Sequence, residues 1–331
     1  MSVISQEDAD EHQGSGADVP ELVYFNLFDD CNVRCNMCEC WKRTRSARSA
    51  EDFREVLDRV LARRPRAIRF TGGEPLLLRG LPGLVRRGAE SGARVSVITN
   101  GRLLTSKARR LADAGCAEIV ISLDGVGATH DRIRRNRGLF DKCLAGIDAV
   151  TTAGMSYGVN TVVQRMGVED LQTLADLLLS HDLPPRWWHL IPVRDHDDLV
   201  PTAEQRSRLR RLIPALIDRA KEHGVDVIAD PDMFGEQRPA PCTVPTFIAY
   251  VRADSGEVYG CNMLAYADGV IADVREGSAS GHWGGSRAED LRARCAEGTN
   301  TACSRCDPAS RTMNHFLRRL AADHALEGAS R

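Results

Sequence analysis

Lysine is nearly absent from this chain: Lys42, Lys107, Lys142 and Lys221 stand against 40 arginines. Acidic residues offset those arginines along the whole length, leaving a formal net charge of −2. The sequence therefore carries no basic footprint for nucleic acid, and the arginine bias reads as G+C-rich coding. Also missing is any apolar run approaching the ~20 residues that span a bilayer. No secretory leader pattern opens the sequence, and 11 cysteines is an odd number. A disulfide framework is thus disfavoured, and exposed thiols imply a reducing cytoplasm. At 331 residues and 43% hydrophobic content, the chain can form one large domain plus a small one.

Residues 1–18 are polar and acidic and read as a disordered tail. Residues 19–224 alternate short apolar runs with amphipathic segments. The strand candidates are Leu22–Phe28, Ala67–Thr71, Arg94–Thr99, Glu118–Ser122, Ser156–Val163 and Arg186–Val193. Ser49-Ala50-Glu51-Asp52 and Thr202-Ala203-Glu204-Gln205 resemble capping boxes, each followed by apolar residues at helical spacing. Repeated strand–helix alternation predicts an α/β fold with a parallel sheet. After His223 the pattern breaks. Residues 225–240 read as a Pro-rich linker, 241–315 as a second, cysteine-bearing module, and 316–331 as a terminal helix or tail.

The residues that carry chemistry follow the strands at one end. Cys31, Cys35 and Cys38, spaced C-x3-C-x2-C, come after the first strand; Gly72-Gly73-Glu74 come after the second. Asn100 follows the third strand, Asp124 the fourth and Arg194–Asp198 the sixth. Ligand sites in parallel α/β folds gather at the carboxyl ends of the strands. Three thiolates this close suit three irons of a [4Fe–4S] cluster, leaving one iron open, and fit poorly with paired zinc ligands.

The triplet together with Thr71-Gly72-Gly73-Glu74-Pro75 resembles the radical S-adenosylmethionine (SAM) superfamily. The resemblance implies a partial (β/α)6, TIM-like barrel in which SAM chelates the open iron. It further implies that Gly72, Gly73 and Glu74 form the segment that binds the SAM amino group, and that Asn100 and Ser122 lie beside SAM. Arg134, in His130-Asp131-Arg132-Ile133-Arg134, matches the arginine that pairs with the SAM carboxylate. Met37 takes a place usually held by an aromatic residue that packs near adenine. An electron donor such as flavodoxin or ferredoxin is implied as partner. The chemistry implied is a 5′-deoxyadenosyl radical that removes a hydrogen atom from the substrate.

Cys242, Cys261, Cys303 and Cys306 can hold a second, closed [4Fe–4S] cluster, in a pattern that resembles the twitch module, a shortened SPASM module. A zinc ribbon is the alternative reading of the same four residues. Cys40, Cys116, Cys143 and Cys295 are left over. Cys116 and Cys143 read as buried small hydrophobes, and Cys40 is close enough to the triplet to line its pocket. In the stretch from Arg186 to Asp198, strand alternation puts Trp187 and His189 on one face and Trp188 and Leu190 on the other. His189, Arg194, Asp195 and His196 are the candidates for acting on substrate; a solvated loop is the competing reading of the last three.

A second cluster offers a place for an electron, which favours oxidation of an alcohol carbon to a ketone. The resemblance is to twitch-module dehydrogenases of aminoglycoside biosynthesis, so a sugar or aminocyclitol is the expected small-molecule substrate. Epimerisation of a similar sugar is the nearest alternative, followed by modification of a precursor peptide and by a non-enzymatic electron carrier.

Overall fold

The computed structural model describes residues 20–42, 49–235, 241–262, 264, 269–275, 285–301, 303 and 310–316. The expected tail at 1–18 therefore lies outside the described residues, as do 236–240 of the linker and all of 316–331 except Phe316.

Among the described residues, ten strands form one sheet in the order β10-β9-β8-β1-β2-β3-β4-β5-β6-β7. The strands are β1 (Leu22–Asn26), β2 (Ala67–Thr71), β3 (Arg94–Thr99), β4 (Cys116–Ser122), β5 (Ser156–Val163), β6 (Trp187–Pro192), β7 (Asp226–Ile228), β8 (Ile248–Arg252), β9 (Glu257–Tyr259) and β10 (Val270–Asp273). β1 to β7 are parallel, each to the next. The predicted α/β class and all six predicted strands are present, with ends differing by at most two residues. The helices between them bury one apolar stripe each. Val56, Leu57, Val60 and Leu61 of α1 (Arg54–Leu61) are an example. Thr202 makes the reciprocal capping box with Gln205 at the start of a 20-residue helix, Ala203–Glu222. At Ser49 only half of that device forms: the Asp52 carboxylate accepts the Ser49 N–H at 2.6 Å.

Two findings change the expected division of the chain. The stretch read as a linker, 225–240, contains β7, because Val227 and Ile228 are apolar, buried and paired to β6. Among the described residues, the cysteine-bearing module also adds its strands to the same sheet. Its β8 pairs in parallel with β1, from Leu22 against Ile248 to Asn26 against Arg252, and β9 and β10 follow antiparallel.

Alternation along the strands sorts the side chains into two environments. Val23, Phe25, Ile68, Phe70, Val95, Val97, Ile119, Ile121, Trp188 and Leu190 pack in the main core between sheet and helices. Tyr24, Asn26, Arg69, Ile98, Asn160, Trp187 and His189 face a cavity on the other side. The predicted split of Trp187/His189 from Trp188/Leu190 is what the structure shows. One edge of that inner face is closed by a buried ion pair, Arg69 Nη2 to Glu118 Oε2 at 3.0 Å. Trp187 Nε1 donates to the same carboxylate at 3.1 Å, and Arg69 Nε to Ser96 Oγ at 3.0 Å. Gly158 makes room for Trp187, since a Cβ there would overlap the indole.

Candidate active site

The loop after β1 carries Cys31, Cys35 and Cys38 and is pinned by the loop after β2. Gly73 N donates to Phe28 O at 2.6 Å and Glu74 N to Asp30 O at 2.8 Å. A Cβ on Gly72 would overlap the Phe28 carbonyl, and one on Gly73 the carbonyls of Asp29 and Asp30. Gly72 also has φ +147, which an L side chain rarely adopts. The two glycines are thus required for one loop to dock on the other.

Glu74 is fully buried, and its carboxyl is engaged by the chain itself. Oε1 accepts from Thr99 Oγ1 at 2.8 Å and Leu76 N at 3.0 Å; Oε2 accepts from Asn100 N at 2.7 Å. Burial pushes its pKa up to about 7, against the lowering effect of those donors. Its side chain therefore positions the β3 turn and does not face a ligand. Asn100, so held, donates from Nδ2 to Asn32 Oδ1 at 2.8 Å and to Cys31 Sγ at 3.6 Å.

Arg134 closes the helix Ala128–Arg134 and is buried. Its Nε donates to Asp124 Oδ2 at 2.5 Å and its Nη1 to Cys35 Sγ at 3.6 Å. Asp124 in turn accepts the Val162 N–H at 2.9 Å. The guanidinium thus already has an acidic partner while touching the Cys35 sulfur. Met37 meets Gln164, whose Nε2 lies 3.9 Å from the Met37 sulfur. Gln164 exchanges two hydrogen bonds with Asn36, at 2.9 and 3.2 Å. Ser122 is buried at the end of β4, in register with Asn160. The Asn160 Oδ1 is buried with no hydrogen-bond partner among the described residues. Sequence reasoning missed Gln164 and Asn160. Gln164 just follows the end of β5 and Asn160 lies within it, so the strand-end rule that found Asn100 also reaches this part of the chain.

Burial raises the Cys31 pKa and pushes that of Cys35 up to about 11, while the Cys40 thiol lowers that of Cys38 to about 6. Among the described residues no three His, Cys, Asp or Glu side chains converge on a point, as a single metal ion would require. The donor set is three soft sulfurs within electrostatic reach of one another, two of them receiving N–H donors from Asn100 and Arg134. That set fits an iron–sulfur cluster held at three irons, with the outer hydrogen bonds such sulfurs receive.

Beside this loop lies a cavity of about 300 Å³. Asp29 and Cys40 contribute from the chain after β1 and Gly72 from the loop after β2; Tyr250, Cys261 and Asn262 contribute from the C-terminal module. Tyr24, Trp187, Phe247 and Ile191 make much of the wall apolar. His189 lines it too, with its Nε2 2.5 Å from Thr312 Oγ1. Burial, and then the charge of Arg69, lowers its pKa to about 3, so it is a neutral ring at working pH. Arg194, Asp195 and His196 do not line the cavity. β6 ends at Pro192, the chain turns through Asp195 at φ +57, and Arg194 pairs outward with Asp195 at 2.7 Å. Asp195 is exposed in this loop, and Arg194 and His196 are half-buried.

In the C-terminal module, Cys242 N donates to Cys295 O at 2.8 Å. The Cys295 and Cys303 sulfurs are 4.0 Å apart, and Asn300 Nδ2 donates to Cys295 Sγ at 3.4 Å. Cys306 lies outside the described residues. Cys116 and Cys143 are buried in the main core, as expected.

The family model for the Radical SAM superfamily matches residues 25–178. Among curated relatives, the Fe-coproporphyrin III synthase of Methanosarcina barkeri is 26% identical over 210 residues, covering 62% of this chain and 53% of that protein. A GTP 3',8-cyclase of Rhodopseudomonas palustris is 36% identical over 159 residues, covering 45% of this chain and 46% of that one. The chain thus spans about half the length of these relatives. Among solved structures, Streptococcus suis SuiB bound to S-adenosylmethionine has a TM-score of 0.67 at 15% identity, covering 88% of this chain and 72% of that one. Native anSMEcpe with bound AdoMet has a TM-score of 0.63 at 16% identity, covering 94% and 99%. At these identities the likeness is one of fold: a mostly parallel sheet in a partial TIM-like barrel.

Proposed function

We propose that this chain is a radical SAM enzyme and that it oxidises an alcohol carbon of a sugar or aminocyclitol to a ketone. The observation that carries this reading is the cavity whose wall includes Cys40, just past the cysteine triplet, Gly72 of the loop that clamps the triplet, and Cys261 of the C-terminal module. A small molecule held there sits between the two thiol sets. Cys31, Cys35 and Cys38 would hold a [4Fe–4S] cluster, which together with SAM supplies radical chemistry that takes a hydrogen atom from the substrate. Cys242, Cys261, Cys303 and Cys306 would hold a second cluster of the twitch type, an acceptor for the electron left over. Gly72 and Gly73 set the SAM-binding edge, Asn100, Ser122 and Met37 flank it, and Arg134 faces the SAM carboxylate with the edge not used by Asp124. His189, neutral and fixed by Thr312, orients a substrate hydroxyl. Asn160 Oδ1 accepts a hydrogen bond from another hydroxyl, which satisfies its buried oxygen.

The cavity's size also favours a small molecule over a peptide or a tetrapyrrole. A redox-neutral epimerisation is the second reading, and the Cys40 thiol in the cavity wall favours it, because a thiol can return a hydrogen atom to a substrate radical. The test uses anaerobically reconstituted protein with SAM, flavodoxin or dithionite, and a panel of sugars and aminocyclitols in D2O. 5′-Deoxyadenosine with a ketone product supports oxidation. Deuterium gained at an inverted carbon supports epimerisation. Product from peptides alone would overturn both.

A further inference from the structure

Three cysteines in the core are not assigned by spacing, and two of them behave as ordinary buried thiols. Cys116 Sγ donates to Glu118 O at 3.4 Å, and Cys143 Sγ to Asn100 O at 3.5 Å. Both sulfurs use a backbone carbonyl, as a protonated thiol does. Cys295 differs. It is 2% exposed, on the last turn of the helix Ser286–Glu297. Its sulfur accepts an N–H from Asn300, itself buried, and its other neighbour is the Cys303 thiol.

The local backbone makes this arrangement. Gly298, at φ +72, ends the helix in the left-handed conformation. Thr299 N and Asn300 N both return to Arg294 O, and Cys303 N bonds to Asn300 O. The chain is thereby folded back under the helix end, carrying Cys303 to Cys295. Cys242 is tied to the same turn through its N–H on Cys295 O. Two cysteine sulfurs therefore meet at one helix terminus, with an amide donor on one of them and a third cysteine joined through its backbone. Amide N–H donors on sulfur are characteristic of thiolate ligands.

We propose that Cys295 is a ligand of the C-terminal iron–sulfur site. A four-iron cluster takes four cysteines, so this revises the set proposed above: Cys303 stays a ligand beside Cys295, and one of Cys242, Cys261 and Cys306 is not one. This inference rests on the reading of a second cluster, and the experiment separates the two. Iron is measured after anaerobic reconstitution of a variant in which Cys31, Cys35 and Cys38 are all alanine, so only the C-terminal site can bind it. About four irons are expected there. Adding Cys295→Ala should remove them, whereas adding Cys116→Ala should not. If the triple variant binds no iron, the second-cluster reading fails, and this inference with it. If the Cys295→Ala variant keeps about four irons with an unchanged electron paramagnetic resonance spectrum, the cluster stands and Cys295 is not a ligand. Circular dichroism guards against loss by unfolding. A second variant leaves the thiol in place: Asn300→Leu should retain the iron but lower the cluster's reduction potential, because a donor to the ligand sulfur is gone. A folded Asn300→Leu protein with an unchanged potential counts against ligation by Cys295.

Discussion

The cysteines of residues 31–38 and those of residues 242–303 are held by different means. The first set rides on a loop clamped by the ends of parallel strands. Two buried polar pairs, Glu74 with Asn100 and Arg134 with Asp124, stand behind it and put donors on two of its sulfurs. The second set is gathered by short edge strands and by the turn at one helix end, with Asn300 the donor seen on sulfur. A site backed by buried polar pairs keeps its shape before any cofactor arrives. A set gathered by a turn would depend more on the proposed group for its shape, as in metal-coupled folding.

The largest effects should come from removing ligands, and they should be unequal. Replacing Cys31, Cys35 and Cys38 together should abolish 5′-deoxyadenosine formation and reduce iron from about eight to about four per chain. The fold should survive, which circular dichroism can check. Replacing Cys303 should leave SAM cleavage by dithionite intact while ketone formation falls to a small fraction. A folded Cys303→Ala enzyme that oxidises substrate at the normal rate would show that the second site is structural, and redox-neutral chemistry would then be the better reading.

The pairs behind the first site can be broken without touching a cysteine. Arg134→Ala strands the Asp124 carboxylate, buried and unpaired, which should cost about 3–5 kcal/mol of stability. SAM affinity should fall as well, by roughly 2 kcal/mol if the guanidinium also serves the SAM carboxylate. Denaturant titration and equilibrium SAM binding separate the two losses. Unchanged SAM affinity in folded protein would remove Arg134 from the SAM site.

A smaller, graded effect should appear with pH. The His189 pKa falls from its ordinary 6.5 to about 3 through burial, and that of His130 to about 4 for the same reason. Below pH 6.5 the unfolded chain binds protons that the folded chain refuses, so stability drops as pH falls toward these lowered values. Each group contributes a slope of up to about 1.4 kcal/mol per pH unit. His189→Asn should flatten the curve between pH 6.5 and 4, measured by urea midpoints. An identical slope in wild type and variant would mean that the ring is not held neutral.

Much of the first site is legible in the residue order alone. The cysteine triplet, the glycine pair, the strand-end positions of Asn100 and Ser122 and the arginine of the His130–Arg134 segment follow from local spacing, which a sequence displays directly. The six strands are legible for the same reason, since β-branched runs between amphipathic segments have few other folds. The placement of Arg194, Asp195 and His196 is not, because polarity alone does not say whether a loop turns toward a cavity or away from it. β7 is hidden as well: a three-residue strand has too short a pattern to show periodicity.

Short-range pattern along the chain sets the class of sheet, the thiol inventory and the end of the barrel where the chemistry gathers. Three other matters are settled by tertiary contacts. The Glu74 carboxyl turns inward to Thr99 and Asn100, β8 joins β1 so that Cys261 borders the same cavity as Gly72, and Cys295 comes against Cys303. Each of these is a contact between groups whose meeting depends on how the backbone returns, through a strand pairing or a helix-ending turn, and residue spacing alone does not encode that return.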